Sequence, residues 1–174
     1  MAATIRSFAG KRPDIARGVF LAETCSVIGD VVIGEESSIW YGTVVRGDVM
    51  PIRIGARTSI QDNTVIHVTS DFSGTIIGND CTVGHSAIIH ACTVEDFCLI
   101  GMGSILLDGA VIGRGSLVGA GALVTPGTNI PPGSLVVGSP AKVKRLINDK
   151  EREQITYGAQ HYVELARRYL AGET

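Results

Sequence analysis

The sequence is poor in aromatic residues, in net charge and in long apolar runs. Only 5% of its 174 residues are aromatic, so a core must be assembled from many small aliphatic side chains. The formal net charge is −2, which gives no reason to expect nucleic acid or an anionic membrane as a partner. Asp108 and Arg114 interrupt the most apolar region well before the roughly 18 residues typical of a membrane span.

Two further absences concern targeting and redox chemistry. The first 18 residues contain no continuous apolar stretch of signal-peptide length. The four cysteines form no CxxC pair and predict no disulfide framework. We therefore expect a soluble, cytoplasmic protein.

What the chain does contain is a six-residue repeat. From Val94 to Val136 every sixth residue is aliphatic, and the same rule holds in the stretches 21–45, 54–66 and 77–89. A small residue stands four places after most of these aliphatic residues, as at Ser37 and Ala87. This period indicates coils built of short strands and turns. Each strand forms one flat side of the coil, called a flat below, with one large inward residue, and a small residue stands at each corner. Such units bury their apolar side only when coils stack.

The cysteines fit this repeat. Cys25, Cys81 and Cys98 occupy the small corner position, and Cys92 lies one place earlier in its hexad. We therefore predict that all four pack in the core.

The repeat resembles that of the hexapeptide-repeat family, whose chains form a left-handed parallel β-helix with 18 residues per coil. The resemblance implies an all-β triangular prism of about seven coils over residues 1–148. Residues 149–174 form a second predicted region, because apolar residues recur there at helical spacing. Acidic residues near its start and basic residues near its end favour a C-terminal α-helix, packed along the prism. The residues at helical spacing are Ile155, Ala159, Tyr162, Ala166 and Tyr169.

Breaks in the repeat place three polar residues in one column. If the extra residues after Val45 and Ile66 loop out, then Val45, Ile66 and Ile89 begin the third flat of successive coils. The next residue after each of them projects outward from this same flat. These residues are Arg46, His67 and His90. Because neighbouring strands lie about 4.8 Å apart, His67 and His90 can both reach one metal ion at a Zn–N distance of roughly 2.0 Å.

His85 belongs to the adjacent flat, so within one chain it should not meet His67 and His90. Around a three-fold axis, however, the adjacent flat of one prism faces the third flat of the next. Around such an axis, two histidines of one chain and one of its neighbour would converge at each subunit interface. Outward polar residues on a solvated β-helix are ordinary, and His161 on the helix is interpreted in that way.

Three segments resemble the γ-class carbonic anhydrases and their bacterial relatives. They are "VVRGDV" (44–49), "SIQDNTVIHV" (59–68) and "VGHSAIIHACTV" (83–94). The resemblance implies that His67, His85 and His90 bind Zn²⁺ or Fe²⁺ at the interfaces of a homotrimer.

The same resemblance implies roles for other positions. Gln61 corresponds to a glutamine that hydrogen-bonds the metal-bound water, and Tyr162 to a tyrosine of the terminal helix that reaches the site. Simple packing of the helix on the prism is an equal alternative for Tyr162. Arg46 and Asp48 resemble a pair that forms ion pairs across the subunit contact, and Asp62 stands near that network.

The expected activity is hydration of CO₂ to bicarbonate by attack of a metal-bound hydroxide. Three imidazoles suit Zn²⁺, Fe²⁺ and Co²⁺ alike. Val49 stands where the most active members have a glutamate, and the segment 68–74 replaces their long acidic loop. Both departures favour slow hydration or a different reaction at the same site.

Three alternatives stay open. The chain could be a metal-dependent thioesterase, an acyl-CoA-dependent acyltransferase of the hexapeptide-repeat class, or a non-enzymatic protein that binds a metal or an iron carrier. The register of the histidines argues against the transferase, because a catalytic base needs only one histidine. No large-ligand pocket is obvious from the sequence.

Overall fold

Most strands are only two or three residues long, because the chain turns a corner after every sixth residue. A computed structural model of the chain describes residues 2–173. Met1 and Thr174, the outer ends of the predicted regions 1–148 and 149–174, lie outside the described residues. Twenty strands and one helix are present in residues 2–173: β1 Thr4–Arg6, β2 Asp14–Ile15, β3 Phe20–Leu21, β4 Ser26–Ile33, β5 Ser38–Ile39, β6 Val44–Ile54, β7 Ser59–Ile60, β8 Val65–His67, β9 Thr75–Ile77, β10 Thr82–Val83, β11 Ile88–His90, β12 Thr93–Val94, β13 Leu99–Ile100, β14 Ile105–Leu106, β15 Val111–Ile112, β16 Leu117–Val118, β17 Leu123–Val124, β18 Asn129–Ile130, β19 Ser134–Gly138, β20 Ala141–Leu146 and α1 Asp149–Leu170.

The strands form the three faces of a parallel β-helix. The pair face, named for its two histidines, consists of the start of β6 followed by β8, β11, β14 and β17. The helix face runs through β3, β5, β7, β10, β13, β16, β19 and β20, and α1 contacts its strands β3, β5, β7 and β10. The third face continues from the end of β6 through β9, β12, β15 and β18. The predicted parallel β-helix of about seven coils with a C-terminal helix is confirmed.

The core follows the hexad pattern. Each aliphatic residue of the series from Val27 to Val136 is buried, and Leu21 at its start is half-buried. The small residues after them, such as Ser37, Thr43 and Ala87, are fully buried at the corners. All four cysteines are buried as well, which confirms their predicted packing in the core.

One of the two insertions does not loop out. The extra residues after Val45 remain in β6, which pairs with the equally continuous β4 through a register shift at Gly29/Val31. Gly29 has φ +80°, and a Cβ there would lie 2.3 Å from the carbonyl oxygen of Gly47, so only glycine lets the two strands turn this corner together. The residues after Ile66 do leave the prism, as a short segment closed by a Thr69–Ser73 bridge. Both arrangements keep the coils in phase, as the register of β6, β8 and β11 demonstrates.

The helix is capped on the last coil and anchored near the first. The Asn148 side chain accepts a hydrogen bond from the backbone N–H of Glu151, whose carboxylate accepts one from the N–H of Asn148. Arg145 donates two hydrogen bonds to the same carboxylate, 2.7 and 2.8 Å long. At the other end Ala166 packs in a buried cluster with Phe20 and Trp40.

Two features of the C-terminal part extend this description. β20 pairs antiparallel with β19 and closes the last coil, a strand that the hexad pattern does not predict. No helix within residues 2–173 is both long and apolar enough to cross a lipid bilayer.

Candidate metal centre

His67 and His90 lie side by side on the pair face. β8 and β11 are parallel, and His67 is the register partner of His90, as the hexad phase predicts. The Nδ1 atom of His67 lies 3.2 Å from the Nε2 atom of His90. The two rings are tilted against each other with their centroids 5.3 Å apart. One nitrogen of each ring therefore points at the other ring.

The outer nitrogen of each ring faces a carboxylate. The Nε2 atom of His67 lies 3.0 Å from Oδ1 of Asp48, and the Nδ1 atom of His90 lies 2.7 Å from Oδ1 of Asp108. An ionised carboxylate only accepts hydrogen bonds, so the proton of each neutral ring belongs on its outer nitrogen. The tautomers follow from these partners.

This assignment leaves two nitrogen lone pairs facing each other. Nδ1 of His67 and Nε2 of His90 cannot hydrogen-bond to one another unless one ring takes up a second proton. A cation between them satisfies both lone pairs. Two nitrogens bound to Zn²⁺ tetrahedrally at about 2.0–2.1 Å lie roughly 3.3–3.4 Å apart, close to the 3.2 Å found here. The donor set of the pair fits a divalent metal ion.

The carboxylates are held in their ionised form. Burial raises the pKa of Asp48, but hydrogen bonds from Arg46 and His67 outweigh it and leave that pKa below its usual range. Hydrogen bonds from Thr69 and His90 lower the pKa of Asp108. Ionised partners of this kind orient the ring of a ligating histidine and raise its basicity.

His85 lies at the corner between the helix face and the pair face. Its ring Nδ1 is 2.8 Å from Oδ2 of Asp62, because Asp62 stands one coil before it in the β7–β10 register. This contact leaves Nε2 available on a side chain that is 46% exposed. Among residues 2–173 of a single chain, no group of three or more His, Cys, Asp or Glu side chains could hold a metal ion. His85 thus does not join the histidine pair of its own chain.

Gln61 and Tyr162 line a groove beside His85. The groove lies between α1 and the helix face and has a volume of about 710 Å³. Burial and the nearby charge of Asp62 raise the pKa of Tyr162, against a hydrogen bond with Gln61 that lowers it. Tyr162 also packs edge-on to Trp40, with ring centroids 5.7 Å apart. Tyr162 therefore lines the groove and anchors the helix on the prism, and its reach to the metal site stays a prediction.

The groove corrects the expectation that the chain has no large-ligand pocket. Its walls include apolar side chains of the helix face together with polar groups such as Gln61 and Gln154. Sequence patterns could not reveal it, because it forms between a helix and strands that are distant in the chain. The two approach closely at Gly158, where an added Cβ would lie 3.3 Å from Oγ1 of Thr82. The apolar lining includes Leu99, Met102 and Leu117.

The predicted ion pairs are formed within the chain. Arg46 is bonded to Asp48, which also accepts from His67. Asp62 contacts His85. In the single chain these three residues support the histidines, and their predicted role between subunits stays a prediction.

Sequence reasoning missed Asp108 and Thr69. Asp108 lies one coil after Ala91, where the N–H of Gly109 donates to the carbonyl of Ala91, and it reaches back to His90. Thr69 donates to the second oxygen of the same carboxylate. Counting one more coil past His90 locates Asp108, but Thr69 lies in an insertion that follows no repeat.

Comparison with known proteins first defines the class of protein. A family model described as bacterial transferase hexapeptide (six repeats) matches residues 91–126. A solved structure from Bacillus cereus, provisionally described as an acetyltransferase, superposes with a TM-score of 0.96 and 43% sequence identity. It covers 99% of this chain and 100% of that one. The chain is a hexapeptide-repeat protein.

Curated relatives narrow this class. A protein named carbonic anhydrase from Geobacillus kaustophilus is 48% identical over 167 residues, which cover 96% of this chain and 91% of the relative. Gamma carbonic anhydrase 2, a mitochondrial protein of Arabidopsis thaliana, is 48% identical over 169 residues. The match covers 94% of this chain but only 61% of that relative. The chain belongs to the γ-class carbonic anhydrase-like family.

Proposed function

We propose that the protein is a metal-dependent enzyme that hydrates CO₂ to bicarbonate at the interfaces of a homotrimer. The observation that carries the proposal is the facing pair of ring nitrogens on His67 and His90, 3.2 Å apart, each left without a proton by the tautomer that its carboxylate partner favours. Similarity to proteins named carbonic anhydrase supports the choice of reaction.

The third ligand would come from a neighbouring chain. His85 has its Nδ1 engaged by Asp62 and its Nε2 available, so it fits the same ligand type as the pair. Its position at another corner agrees with a site completed by a second copy of the chain. A set of three neutral imidazoles is the ligand set of a catalytic zinc site with an open position.

The outward side of the pair face supports the trimer. Its strands begin with aliphatic residues that stack in register and point away from the core. Val65 and Ile88 are 40% and 38% exposed, unlike the polar residues expected on a solvated sheet. A continuous apolar strip of this kind marks an interaction surface. The strip consists of Val44, Val65, Ile88, Ile105 and Leu123.

The chain's own residues would have distinct roles in the reaction. Asp48 and Asp108 hold the rings of His67 and His90 with the inner nitrogens free. A bound Zn²⁺ or similar ion would supply Lewis acidity that lowers the pKa of water to about 7. The Gln61 carboxamide, beside His85 in the groove, would orient the attacking oxygen.

Tyr162 would act as a hydrogen-bond donor. Its phenol is protonated at neutral pH, since burial only raises a pKa that is ordinarily about 10, so its hydroxyl can donate to an oxygen of bicarbonate. The proton released by the reaction would pass to solvent.

Stopped-flow CO₂ hydration tests the proposal. The sample is prepared without oxygen and verified to hold one zinc or iron per chain, with His90→Ala as the control. We expect hydration that depends on metal and is absent from the control. A metal-replete wild-type protein without hydration would contradict the proposed reaction.

The groove beside His85 favours a second candidate, metal-dependent hydrolysis of an acyl thioester. Its volume of about 710 Å³ far exceeds the space that CO₂ needs and lies in the range of small-molecule sites. The apolar side chains of Leu99, Met102 and Leu117 would contact an acyl chain. Release of thiol from acyl thioesters, abolished by a chelator, is the corresponding assay.

A further inference from the structure

We infer that Asp108 and Thr69 are positioning residues for His90, and that they select which ring nitrogen of His90 is free. The inference deepens the proposed metal site and rests on it. It assigns a task to segment 68–74, the short insertion after His67, because Thr69 belongs to that segment.

Both oxygens of Asp108 are occupied by different donors. Oδ1 lies 2.7 Å from Nδ1 of His90, and Oδ2 lies 2.5 Å from Oγ1 of Thr69. A carboxylate held at both oxygens has one orientation, so Oδ1 is fixed toward the histidine ring. The hydrogen bonds form a chain from Thr69 through Asp108 to His90.

The backbone around Asp108 is fixed by the stacking of coils. Ile89 and Leu106 are register partners, and the N–H of Gly109 donates to the carbonyl of Ala91 at 2.7 Å. These contacts place Asp108 at the corner that follows His90, one coil further along. His90 and Asp108 therefore come from adjacent, rigid parts of the prism.

Thr69 comes from a less regular element, which is clamped at both ends. The N–H of Phe72 donates to the carbonyl of Thr69 at 3.4 Å, and the Thr75 hydroxyl donates to the carbonyl of His67 at 2.6 Å. The Phe72 ring lies against Gly109, where an added Cβ would come within 3.4 Å of its Cζ. The segment thus connects the strand of His67 with the coil that supports His90.

The consequence is a coupling between the insertion and the metal site. If Asp108 accepts from Nδ1, the proton of His90 stays on Nδ1 and Nε2 remains free, facing His67. Without Asp108, both tautomers of His90 become available and one of them blocks the pair. Loss of an outer partner of this kind typically weakens metal binding 10–100-fold.

The first readout is the tautomer of His90 in the metal-free, full-length protein, measured by ¹⁵N long-range correlation NMR. We expect the Nδ1–H form in the wild type and a mixture in Asp108→Ala. Asp108→Asn introduces an amide N–H that donates to Nδ1, so it should shift the population toward the Nε2–H form. Thr69→Val removes only the hydroxyl and should shift the population part of the way, whereas Thr69→Ser should restore it.

The second readout is the affinity for Co²⁺, measured by optical titration of the same proteins. Asp108→Ala and Asp108→Asn should each weaken binding roughly 10–100-fold, Thr69→Val less, and Thr69→Ser hardly at all. Asp71→Asn is the matched control, because Asp71 lies exposed in the same segment with φ +55°, a conformation that Asn also adopts. It should leave both readouts unchanged.

An unchanged His90 tautomer in Asp108→Ala would overturn the inference, as would equal Co²⁺ affinity in folded wild-type and Asp108→Ala proteins. Thr69→Val keeps the test decisive if Asp108→Ala does not fold. Failure of the proposed reaction is a separate result. A protein without CO₂ hydration still displays the tautomer of His90, which alone can overturn the assignment.

Discussion

A hydrogen bond to a carboxylate decides which nitrogen of each histidine ring is available. Asp48, Asp108 and Asp62 each take one nitrogen of His67, His90 and His85, respectively. Each of the three rings thereby presents one nitrogen that makes no hydrogen bond to a carboxylate, although the rings lie on different parts of the prism.

At this scale we predict that His85→Ala loses metal but keeps its fold. The side chain is half exposed at a corner, so its truncation removes no core contact. It removes the proposed third ligand, so metal affinity should fall by more than the roughly 10–100-fold cost of an outer partner. Metal content per chain and the thermal midpoint of the metal-free protein measure the two effects.

His161→Ala is the control for this variant. His161 lines the same groove as His85 but is stacked on Tyr157. The substitution His161→Ala should therefore leave the metal content unchanged. A full complement of metal in His85→Ala would refute the assignment of the third ligand.

At the scale of elements, the helix depends on one carboxylate at its start. Glu151 accepts from Arg145 and from the backbone of Asn148, and these bonds lower its pKa to about 2. A group with a depressed pKa stabilises the fold above its unfolded pKa of about 4.5. That contribution disappears as the pH falls from about 4.5 through about 2.

We therefore predict that Glu151→Gln lowers the free energy of unfolding at pH 7, and that the difference from wild type shrinks between pH 4.5 and 2. Urea unfolding followed by circular dichroism across this range measures it. Glu153→Gln, an exposed change in the same helical turn, should have little effect at any pH. A wild-type advantage over Glu151→Gln that is the same at pH 7 and pH 2.5 would contradict the capping role.

At the scale of the whole molecule, the apolar strip on the pair face is the proposed subunit contact. We predict that Ile88→Lys dissociates the proposed trimer without unfolding the chain, because its side chain points outward. Burial of an unpaired ammonium costs several kcal/mol, so the dissociation constant should rise roughly 100-fold or more. Sedimentation velocity at several concentrations measures it.

The control is Ile76→Lys. Ile76 is 51% exposed on the third face, which carries neither the histidine pair nor the helix, and the change there should leave the association intact. Equal dissociation in both variants, or in neither, would show that the strip is not the subunit contact.

Much of the fold could be predicted from the sequence, because each coil repeats the same local rule. An aliphatic residue every sixth place and a small residue at each corner determine the strands, the core and the register of His67 with His90. Counting residues past each insertion suffices for this register. The strand β20 and the continuous course of β6 escaped prediction, since neither depends on the hexad pattern.

The sequence by itself determined the parallel β-helix, the terminal helix and the outward column that contains His67 and His90, because stacking converts a fixed period into a fixed position. Only the tertiary structure decided that Asp108 and Thr69 support His90, that Asp62 engages His85, and that a groove opens beside Gln61. These contacts join an insertion, a corner and a helix to coils far away in the chain. Their formation depends on distances between packed elements, which no local period encodes.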